Sequence, residues 1–592
     1  MSLSFEFKTG TMWTALLFVL VVLGICLTFY GKTRKRCERL QQKAEGSSSA
    51  EEVDFVDLCG VSVRNIEDLV KRRHLLNRRQ CRDLSAKVSK TILNIQDLTS
   101  YCGASVGLFR PPLKNLYRYV VKAETLVRSC AEKDWCLAAV FQCQNENAFR
   151  DTLLDVSLCY SIIYEHAKNA RGDWIDAPED LRRCSDLDPT SHSDVDGDVR
   201  DLQERLDDHA NGYTKIGLPN LFNGKRGVHK RNLAKYLLTK MYHKPLEVQA
   251  STLNAYNPVL WTKALDPLGT WGTSCFLGAG SGTMGVCSTE WLGIPCAKKD
   301  YDKEGPDELF LKEAGILAHL KHPCIVNFIC CGNGLEKGER FIAMELMEKS
   351  LSNLIEEQKG VRFAPNVAID MIVRMARGVR YLHECGVAHR DLKPQNVVVK
   401  RVALPHIEDH YCVKLVDFGI SKMKVEASEM NTMTSQGIGT TRYRAPEANP
   451  GGGKEVGVKV DWFRADAFSF AMTCVHLLSL EIPFHEIVTP SELYKEVSRN
   501  GWRPRLPDGY PEELLKLLKD CWRSDPRSRP SFKEICTRLE TIKYGDAIVY
   551  EGQCGLDYMK MKMEEKLSEK SALVVEEAVM IFHVIWVFYA FL

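Results

Sequence analysis

The stretch that decides the fold is His389-Arg390-Asp391-Leu392-Lys393-Pro394-Gln395-Asn396, followed 21 residues after Asn396 by Asp417-Phe418-Gly419. Together the two motifs supply carboxylate and amide oxygens, which are the ligands that hard divalent cations prefer. The tripeptide Ala445-Pro446-Glu447 follows, and a glycine-rich loop comes before them. Chance assembly of all four in this order is negligible, so they define one domain.

The glycine-rich loop is the second signal. It reads GAGSGTMGVC from residue 278 to residue 287 and follows a short apolar strand, Cys275-Phe276-Leu277. Glycines let backbone N–H groups approach phosphate oxygens without a Cβ in the way. Two registers are open, because four glycines are present and Cys287 stands where the usual pattern has a valine. The glycines concerned are Gly278, Gly280, Gly282 and Gly285.

These motifs resemble those of eukaryotic protein kinases, over a little under half of the chain. The resemblance implies an α+β bilobal protein kinase fold, over residues 265–545, that binds ATP and Mg²⁺. It implies that Asp391 orients the acceptor hydroxyl and takes its proton, while Lys393 neutralises the moving phosphoryl group. It also implies that Asn396 and Asp417 are the magnesium ligands.

Two adjacent lysines, Lys298 and Lys299, end the next strand and compete for the phosphate-binding role. Because side chains alternate along a strand, Ala297 and Lys299 share one face and Lys298 points the other way. We therefore expect Ala297 to lie over the adenine and Lys299 to reach the α- and β-phosphates. Glu313, in a helical segment, is the expected ion-pair partner of Lys299.

The resemblance extends to the nucleotide hinge and to the C-terminal lobe. It implies that Met344 is the gatekeeper and that the hinge runs from Glu345 to Met347. The matching structural positions of the C-terminal lobe are His389, Glu447, Asp466 and Arg529. The turn Trp291-Leu292-Gly293 and the segment CWRSDPRSRPSF, at 521–532, look most like the plant members of the tyrosine-kinase-like group.

The acceptor and the control of the enzyme also follow from the resemblance. Lys393 and Thr440 resemble Ser/Thr kinases, which predicts transfer of the ATP γ-phosphate to Ser/Thr hydroxyls of proteins, with dual specificity left open. Arg390 beside the catalytic carboxylate indicates a need for an anion, which phosphorylation of the activation loop supplies. The acceptors predicted there are Ser428, Thr432, Thr434, Ser435 and Thr441. The alternative is a pseudokinase scaffold that signals through its N-terminal region.

Length and composition limit the number of domains and the possible classes of protein. Its 592 residues exceed one core and predict two to four units, at about 100 to 200 residues each. A net charge of +2 argues against a general nucleic-acid binder. The 22 cysteines are scattered without a disulfide framework, which favours reduced thiols in the cytosol.

Two apolar segments lie at the ends of the chain. Residues 12–30 carry no charge over 19 residues, long enough for a transmembrane helix. Basic residues follow it, so the positive-inside rule predicts a single-pass membrane protein with the kinase domain in the cytoplasm. A cleaved signal peptide is disfavoured because the charge lies on the wrong side. In the C-terminal segment, 574–592, the uncharged stretch 578–592 has only 15 residues, which is short for a span, and its role is left open.

A helical bundle domain is predicted at residues 52–171, from three apolar stripes at helical spacing. The stripes are Leu84, Val88, Ile92, Ile95 and Leu98; Leu113, Leu116, Val120, Ala123 and Val127; and Phe149, Leu153, Val156, Tyr160 and Ile163. The bundle resembles the helical N-terminal domains of some tyrosine-kinase-like kinases and of mixed lineage kinase domain-like proteins. A generic regulatory bundle, with possible self-association, is the simpler interpretation.

An acidic linker is predicted at residues 172–225. Residues 172–212 contain 13 Asp or Glu against four Arg, interspersed with Gly, Pro and Ser. The string Asp194-Val195-Asp196-Gly197-Asp198 invites a calcium-loop interpretation. That interpretation fails, because neither register puts a glutamate at the twelfth position of the loop.

Overall fold

A computed structural model of the chain describes thirteen stretches. They are residues 54–102, 110–171, 190–211, 225–242, 271–278, 283–302, 307–333, 340–405, 407, 409–418, 422–423, 441–448 and 460–545. From Phe55 on, these residues belong to one compact unit, in which an all-helical region precedes a two-lobed α+β domain. The apolar segments at 12–30 and 574–592 lie outside the described residues.

The first part of the helical region is a bundle. Its helices are α1 (Phe55–Val70), α2 (Arg78–Cys102), α3 (Arg110–Cys130), α4 (Trp135–Gln142) and α5 (Glu146–Arg171). Helix α1 packs against α2 and α3, and α5 packs against α2 and α3. All residues of the three apolar stripes are buried. Each fully buried Leu, Val or Ile contributes about 1.5–3 kcal/mol, so these stripes hold the bundle together.

Two more helices follow, α6 (His192–Asn211) and α7 (Lys225–Tyr242). Helix α6 lies inside the stretch predicted as a linker, so that prediction does not hold for 192–211. Leu202, Leu206 and Ala210 form a short buried stripe at intervals of four residues, which the acidic composition obscured. Asp198 is buried at the start of α2, where its carboxylate accepts the N–H groups of Arg79 at 2.9 Å and Gln80 at 3.0 Å.

The N-terminal lobe of the second domain is an antiparallel sheet of five strands with one helix. The elements are β1 (Cys275–Gly278), β2 (Thr283–Trp291), β3 (Ile294–Tyr301), α8 (Asp307–His319), β4 (Phe328–Asn333) and β5 (Arg340–Glu345). The strand order is β1-β2-β3-β5-β4. Strand β3 is therefore central, and its register puts Ala297 opposite Met344 and Lys299 opposite Ile342.

The C-terminal lobe is mainly helical and carries short hairpins at its junction with the sheet. Its elements are β6 (Lys349–Ser350), α9 (Leu351–Glu357), α10 (Pro365–Glu384), β7 (Val387–Ala388), β8 (Val397–Arg401), β9 (Tyr411–Leu415), β10 (Lys422–Met423), α11 (Trp462–Ser479), α12 (Pro490–Tyr494), α13 (Glu512–Cys521) and α14 (Phe532–Gly545). Helix α11 is buried along nearly its whole length, from Ala465 to Leu478. One apolar core joins it to α10 and to the N-terminal lobe.

The predicted location needs correction. Among the described helices, none combines the length and the apolar character that crossing a bilayer requires. The prediction of a single-pass membrane protein, which rested on hydropathy at residues 12–30, is therefore wrong on this finding.

Buried ion pairs join the bundle to the C-terminal lobe. Asp155 on α5 is 2% exposed in its side chain and accepts from Arg377 on α10 at 2.6 Å and from Lys122 on α3 at 3.0 Å. Arg377 also contacts Glu540 on α14 at 2.9 Å. Burial alone would raise the pKa of Asp155, but the Arg377 and Lys122 cations overcome it and hold that pKa below its usual range. Asp155 therefore stays ionised, and its ion pairs hold the bundle and the C-terminal lobe together.

A histidine contact lies beside this ion pair. His322, just after α8, has its Nε2 3.4 Å from the Asp151 carboxylate of α5, and its Nδ1 accepts the Cys324 N–H at 3.1 Å. The ligand atoms of these three residues lie within 4.8 Å of one another, as in a metal site. However, the backbone N–H occupies Nδ1, so the neutral ring carries its proton on Nε2, facing Asp151. The cluster is accounted for by the close contact between His322 and the Asp151 carboxylate.

His322 makes the stability of the fold depend on pH. Burial is the main cause that lowers its pKa from 6.5 to about 4; Asp151 opposes this change and Arg377 adds to it. Between these two values the unfolded chain binds a proton that the folded chain does not. The stability is therefore fully present above pH 6.5 and is lost as the pH falls towards 4.

We expect His322→Gln to flatten this loss by up to roughly 3 kcal/mol, since one pKa unit corresponds to about 1.4 kcal/mol. The measurement is the urea unfolding free energy at pH 4.5 and pH 7. His485, whose side chain is 52% exposed, provides the control substitution His485→Gln. Buried His410 and His476 titrate in the same window, so part of the slope remains. Equal slopes in the two variants would contradict the assignment to His322.

Candidate active site

Lys299 lies at the centre of an ion-pair chain between the lobes. Its Nζ is 2.7 Å from Glu313 Oε1 on α8 and 2.9 Å from Asp417 Oδ1. Burial opposes the charge, but the two carboxylates hold the pKa of Lys299 above its ordinary value. In the same way Lys299 overcomes the burial of Asp417 and lowers the pKa of that carboxyl. The cation and the carboxylate of the DFG motif are thus both charged and in contact.

The side chain of the neighbouring lysine points to the opposite face of the sheet. Lys298 Nζ pairs with Asp300 at 2.7 Å and lies 5.1 Å from the centre of the Phe341 ring, on the other face of the sheet. The two lysines are separated as strand alternation predicted, and Lys299 is the one brought to Glu313 and Asp417.

The catalytic loop brings Asp391, Lys393 and Asn396 together. Lys393 Nζ lies 2.7 Å from Asp391 Oδ2, and the Asn396 side-chain N–H₂ donates to Asp391 O at 2.8 Å and to Asp391 Oδ2 at 3.0 Å. Because both donated bonds leave from the amide nitrogen, the orientation of Asn396 is set and its oxygen is turned away from Asp391. That oxygen is available to a cation.

Asp466, fully buried on α11, holds the backbone of this loop. Its two carboxylate oxygens accept the N–H groups of His389 and Arg390, each at 2.8 Å, and His383 Nε2 lies at 2.9 Å. Arg390 and Asp417 have φ of 69° and 66°, which is the left-handed region that side chains other than glycine rarely adopt. Such strain persists only where the surroundings impose it, and Asp466 supplies that constraint for Arg390.

Arg529 and Glu447 form the structural pair in the C-terminal lobe. The guanidinium, 1% exposed, donates to both Glu447 oxygens, at 2.6 Å and 3.0 Å. A two-bond contact of this kind fixes direction as well as distance. It ties the segment after the activation loop to the start of the last helix.

The nucleotide-facing residues of the N-terminal lobe are described in part. Gly278 ends β1, and Gly285 has a φ of 138°, with Phe276 only 2.8 Å from where a Cβ would lie. A side chain at position 285 would therefore be strained and would clash. Gly280 and Gly282 lie outside the described residues, so the loop register stays open.

At the hinge, sequence reasoning missed one partner. The Glu345 carboxylate pairs with Lys414 of β9 and accepts the Asn327 N–H at 2.8 Å. Its side chain is thus engaged elsewhere, and only its backbone can serve a nucleotide. Met344 is buried opposite Ala297, and Met347 is half-buried. Lys414 could have been suspected as a charged residue in an otherwise apolar strand.

The regulatory positions are only partly described. The Arg390 guanidinium stacks on the Trp462 ring, 4.0 Å from its centre. Thr441 is half-buried. The other predicted acceptors, Ser428, Thr432, Thr434 and Ser435, lie outside the described residues. Phosphorylation of this segment stays a prediction.

The comparisons agree with this geometry. Residues 277–539 match the family model for the protein kinase domain. This part of the chain is a eukaryotic protein kinase domain.

Several curated relatives align with the same region. A light-sensor protein kinase of Ceratodon purpureus is 36% identical over 284 residues, which is 45% of this chain and 21% of the relative. The serine/threonine-protein kinases VIK and STY17 of Arabidopsis thaliana are 35% and 31% identical, over 45% and 39% of this chain. The chain covers 58% and 37% of their lengths. It thus spans between about a fifth and three fifths of these relatives.

A solved structure resembles a larger part of the chain. The AtMLKL3 tetramer, determined by cryo-EM, superposes with a TM-score of 0.64 at 22% identity, over 88% of this chain and 95% of that chain. The likeness therefore takes in the helical region as well as the kinase domain. At this identity it concerns the fold alone.

Proposed function

We propose that the chain is an active protein kinase that transfers the γ-phosphate of ATP to Ser/Thr hydroxyls of proteins. The observation that carries the proposal is the ion-pair chain Glu313–Lys299–Asp417 beside the Asp391–Asn396 hydrogen bonds. Strand β3, α8 and the DFG segment contribute one residue each, so the ion pairs connect the N-terminal lobe to the DFG segment. The names of the relatives support the Ser/Thr class.

The donor set fits ATP with a hard divalent cation, which we propose to be Mg²⁺. Asn396 and Asp417 offer an amide oxygen and a carboxylate, the ligand types that such cations take. Bound there, the cation neutralises charge on the β- and γ-phosphates. Lys299 is positioned by Glu313 to contact the α- and β-phosphates, and its charge is secured by the surrounding carboxylates.

Asp391 and Lys393 act on the acceptor side. The Asp391 carboxylate is held by Asn396 and by the Lys393 ammonium at 2.7 Å. In this position it can accept the proton of an acceptor hydroxyl, while Lys393 stabilises negative charge on the transferred group. Lys393 also favours Ser/Thr over Tyr as acceptor, as the sequence comparison with the two kinase classes implied.

The two neighbouring lysines offer a matched test. With labelled ATP, Mg²⁺ and a Ser/Thr peptide library, we expect Lys299→Met to lower kcat/KM by at least about 100-fold, since a charge aimed at the phosphates is lost. Lys298→Met, one residue away on the opposite face, is expected to retain activity within about twofold. Equal activity of the two variants would argue for a scaffold that signals through its helical bundle.

Self-association through the bundle is a further part of the proposal. The bundle presents exposed apolar side chains, Leu93 at 59% and Val61 at 45%, beyond its buried stripes. The structural neighbour is itself described as a tetramer. Light scattering on the purified chain reports the mass in solution.

A further inference from the structure

A cavity of about 270 Å³ lies where the helical region meets the kinase domain. Its wall includes Gln80 of α2, Asn145 and Asn147 at the start of α5, Lys240 of α7, and Lys321 just after α8. Both parts of the chain contribute to it. Its described lining contains none of the residues of the candidate active site.

Two buried lysines line this cavity. Lys240 is 8% exposed, and its Nζ contacts the Phe328 carbonyl oxygen at 3.2 Å and the Phe328 ring, whose centre is 4.7 Å away. Lys321 is 9% exposed, and within the described part of the chain its buried Nζ has no hydrogen-bond partner. Burial, with repulsion from Lys321, lowers the pKa of Lys240 to about 8. Two buried lysines thus line the same cavity.

This arrangement is costly unless an anion is present. Removing an ammonium group from water without a counter-charge costs several kcal/mol, and two together repel one another. The two residues with carboxylates in the lining, Glu146 and Asp196, are exposed, whereas Lys240 and Lys321 are buried. Asn145 and Gln80 add neutral amide groups to the lining. The interior is positive and polar, which is the character of an anion site.

We propose that this cavity binds a compact phosphate-bearing anion, with Lys240 and Lys321 as its charged ligands. A phosphate dianion matches two lysine charges, whereas one carboxylate would leave one of them unpaired. The cavity is slightly smaller than the roughly 300–1,000 Å³ of pockets for drug-sized ligands, so the anion is small. Because its ligands come from α7 and from the segment after α8, the anion joins the helical region to the kinase domain.

The test is calorimetric titration of inorganic phosphate into the full chain, without nucleotide or divalent cation, at pH 7 and constant ionic strength. We expect saturable binding, and a higher melting temperature with phosphate present. Lys240→Met and Lys321→Met are each expected to weaken the affinity at least about tenfold, because each removes a charged hydrogen-bond donor. A parallel arm with glycerol phosphate distinguishes an organic phosphate ester from the free ion by the tighter of the two affinities.

Two matched lysines serve as controls. Lys235→Met changes an exposed lysine of the same helix, and Lys299→Met removes the cation of the active site; both variants are expected to bind phosphate normally. A loss of phosphate binding in these variants would not be caused by unfolding. Removing a buried charge that has no counter-charge should leave the melting temperature without phosphate equal or higher. Absence of saturable binding, the same response to chloride, or undiminished affinity in both Lys240→Met and Lys321→Met overturns the proposal.

Discussion

Asp391→Asn is expected to lower kcat for phosphotransfer by about 10²- to 10⁴-fold, the usual contribution of a positioned proton acceptor. The change keeps the size of the side chain, and the amide oxygen can still accept from Lys393 and Asn396. It removes the negative charge and the capacity to take the hydroxyl proton. The KM for ATP should change little, because Asp391 serves the acceptor side.

The measurement is initial rate against ATP and peptide concentration, with the melting temperature recorded beside it. Asp508→Asn, at an exposed carboxylate of the same lobe, is the control and should retain native kcat. If Asp391→Asn kept native kcat, the chain would not use this carboxylate as a proton acceptor. That result would favour the pseudokinase scaffold. A loss of kcat together with a collapsed melting temperature would instead indicate misfolding, which Asp391→Glu tests separately.

The second large effect concerns stability. Asp155→Ala is expected to destabilise the chain by about 3–5 kcal/mol, since it removes the buried carboxylate that pairs with Lys122 and leaves Arg377 with Glu540 alone. The free energy of unfolding in urea measures the loss. Because Asp155 joins α5 to α10, the transition of the helical region should also separate from that of the kinase domain.

An exposed ion pair in the same bundle provides the matched control. Asp68 pairs with Lys71 at 2.9 Å, but their side chains are 77% and 74% exposed, so Asp68→Ala should cost far less stability than Asp155→Ala. The double variant Asp155→Leu with Arg377→Met removes both members of the Asp155–Arg377 pair. It should recover part of the stability that Asp155→Ala loses. Equal destabilisation by Asp155→Ala and Asp68→Ala would show that the junction does not depend on this contact.

Patterns among neighbouring residues in the sequence predicted much of the candidate active site. Alternation along a strand separated Lys299 from Lys298, because neighbouring side chains necessarily point to opposite faces. The motifs placed Asp391, Asn396 and Asp417 in order, since their spacing is set by the backbone path of one loop. The apolar stripes predicted the bundle for the same reason, because a period of 3.6 residues is a property of the helix itself. The prediction of a linker failed at 192–211, because the many acidic residues there obscured the short apolar stripe of α6.

The sequence by itself determined the fold class, the bundle and the motifs, because each depends on spacing between residues that are close in the chain. Only the tertiary structure decided how the bundle meets the kinase domain. The pairing of Asp155 with Arg377 spans 222 residues of sequence, and Lys240 and Lys321, which line one cavity, are also far apart in the chain. No periodicity encodes such contacts. They arise when separate elements exclude water between them, and the charges trapped there must then find partners or ligands.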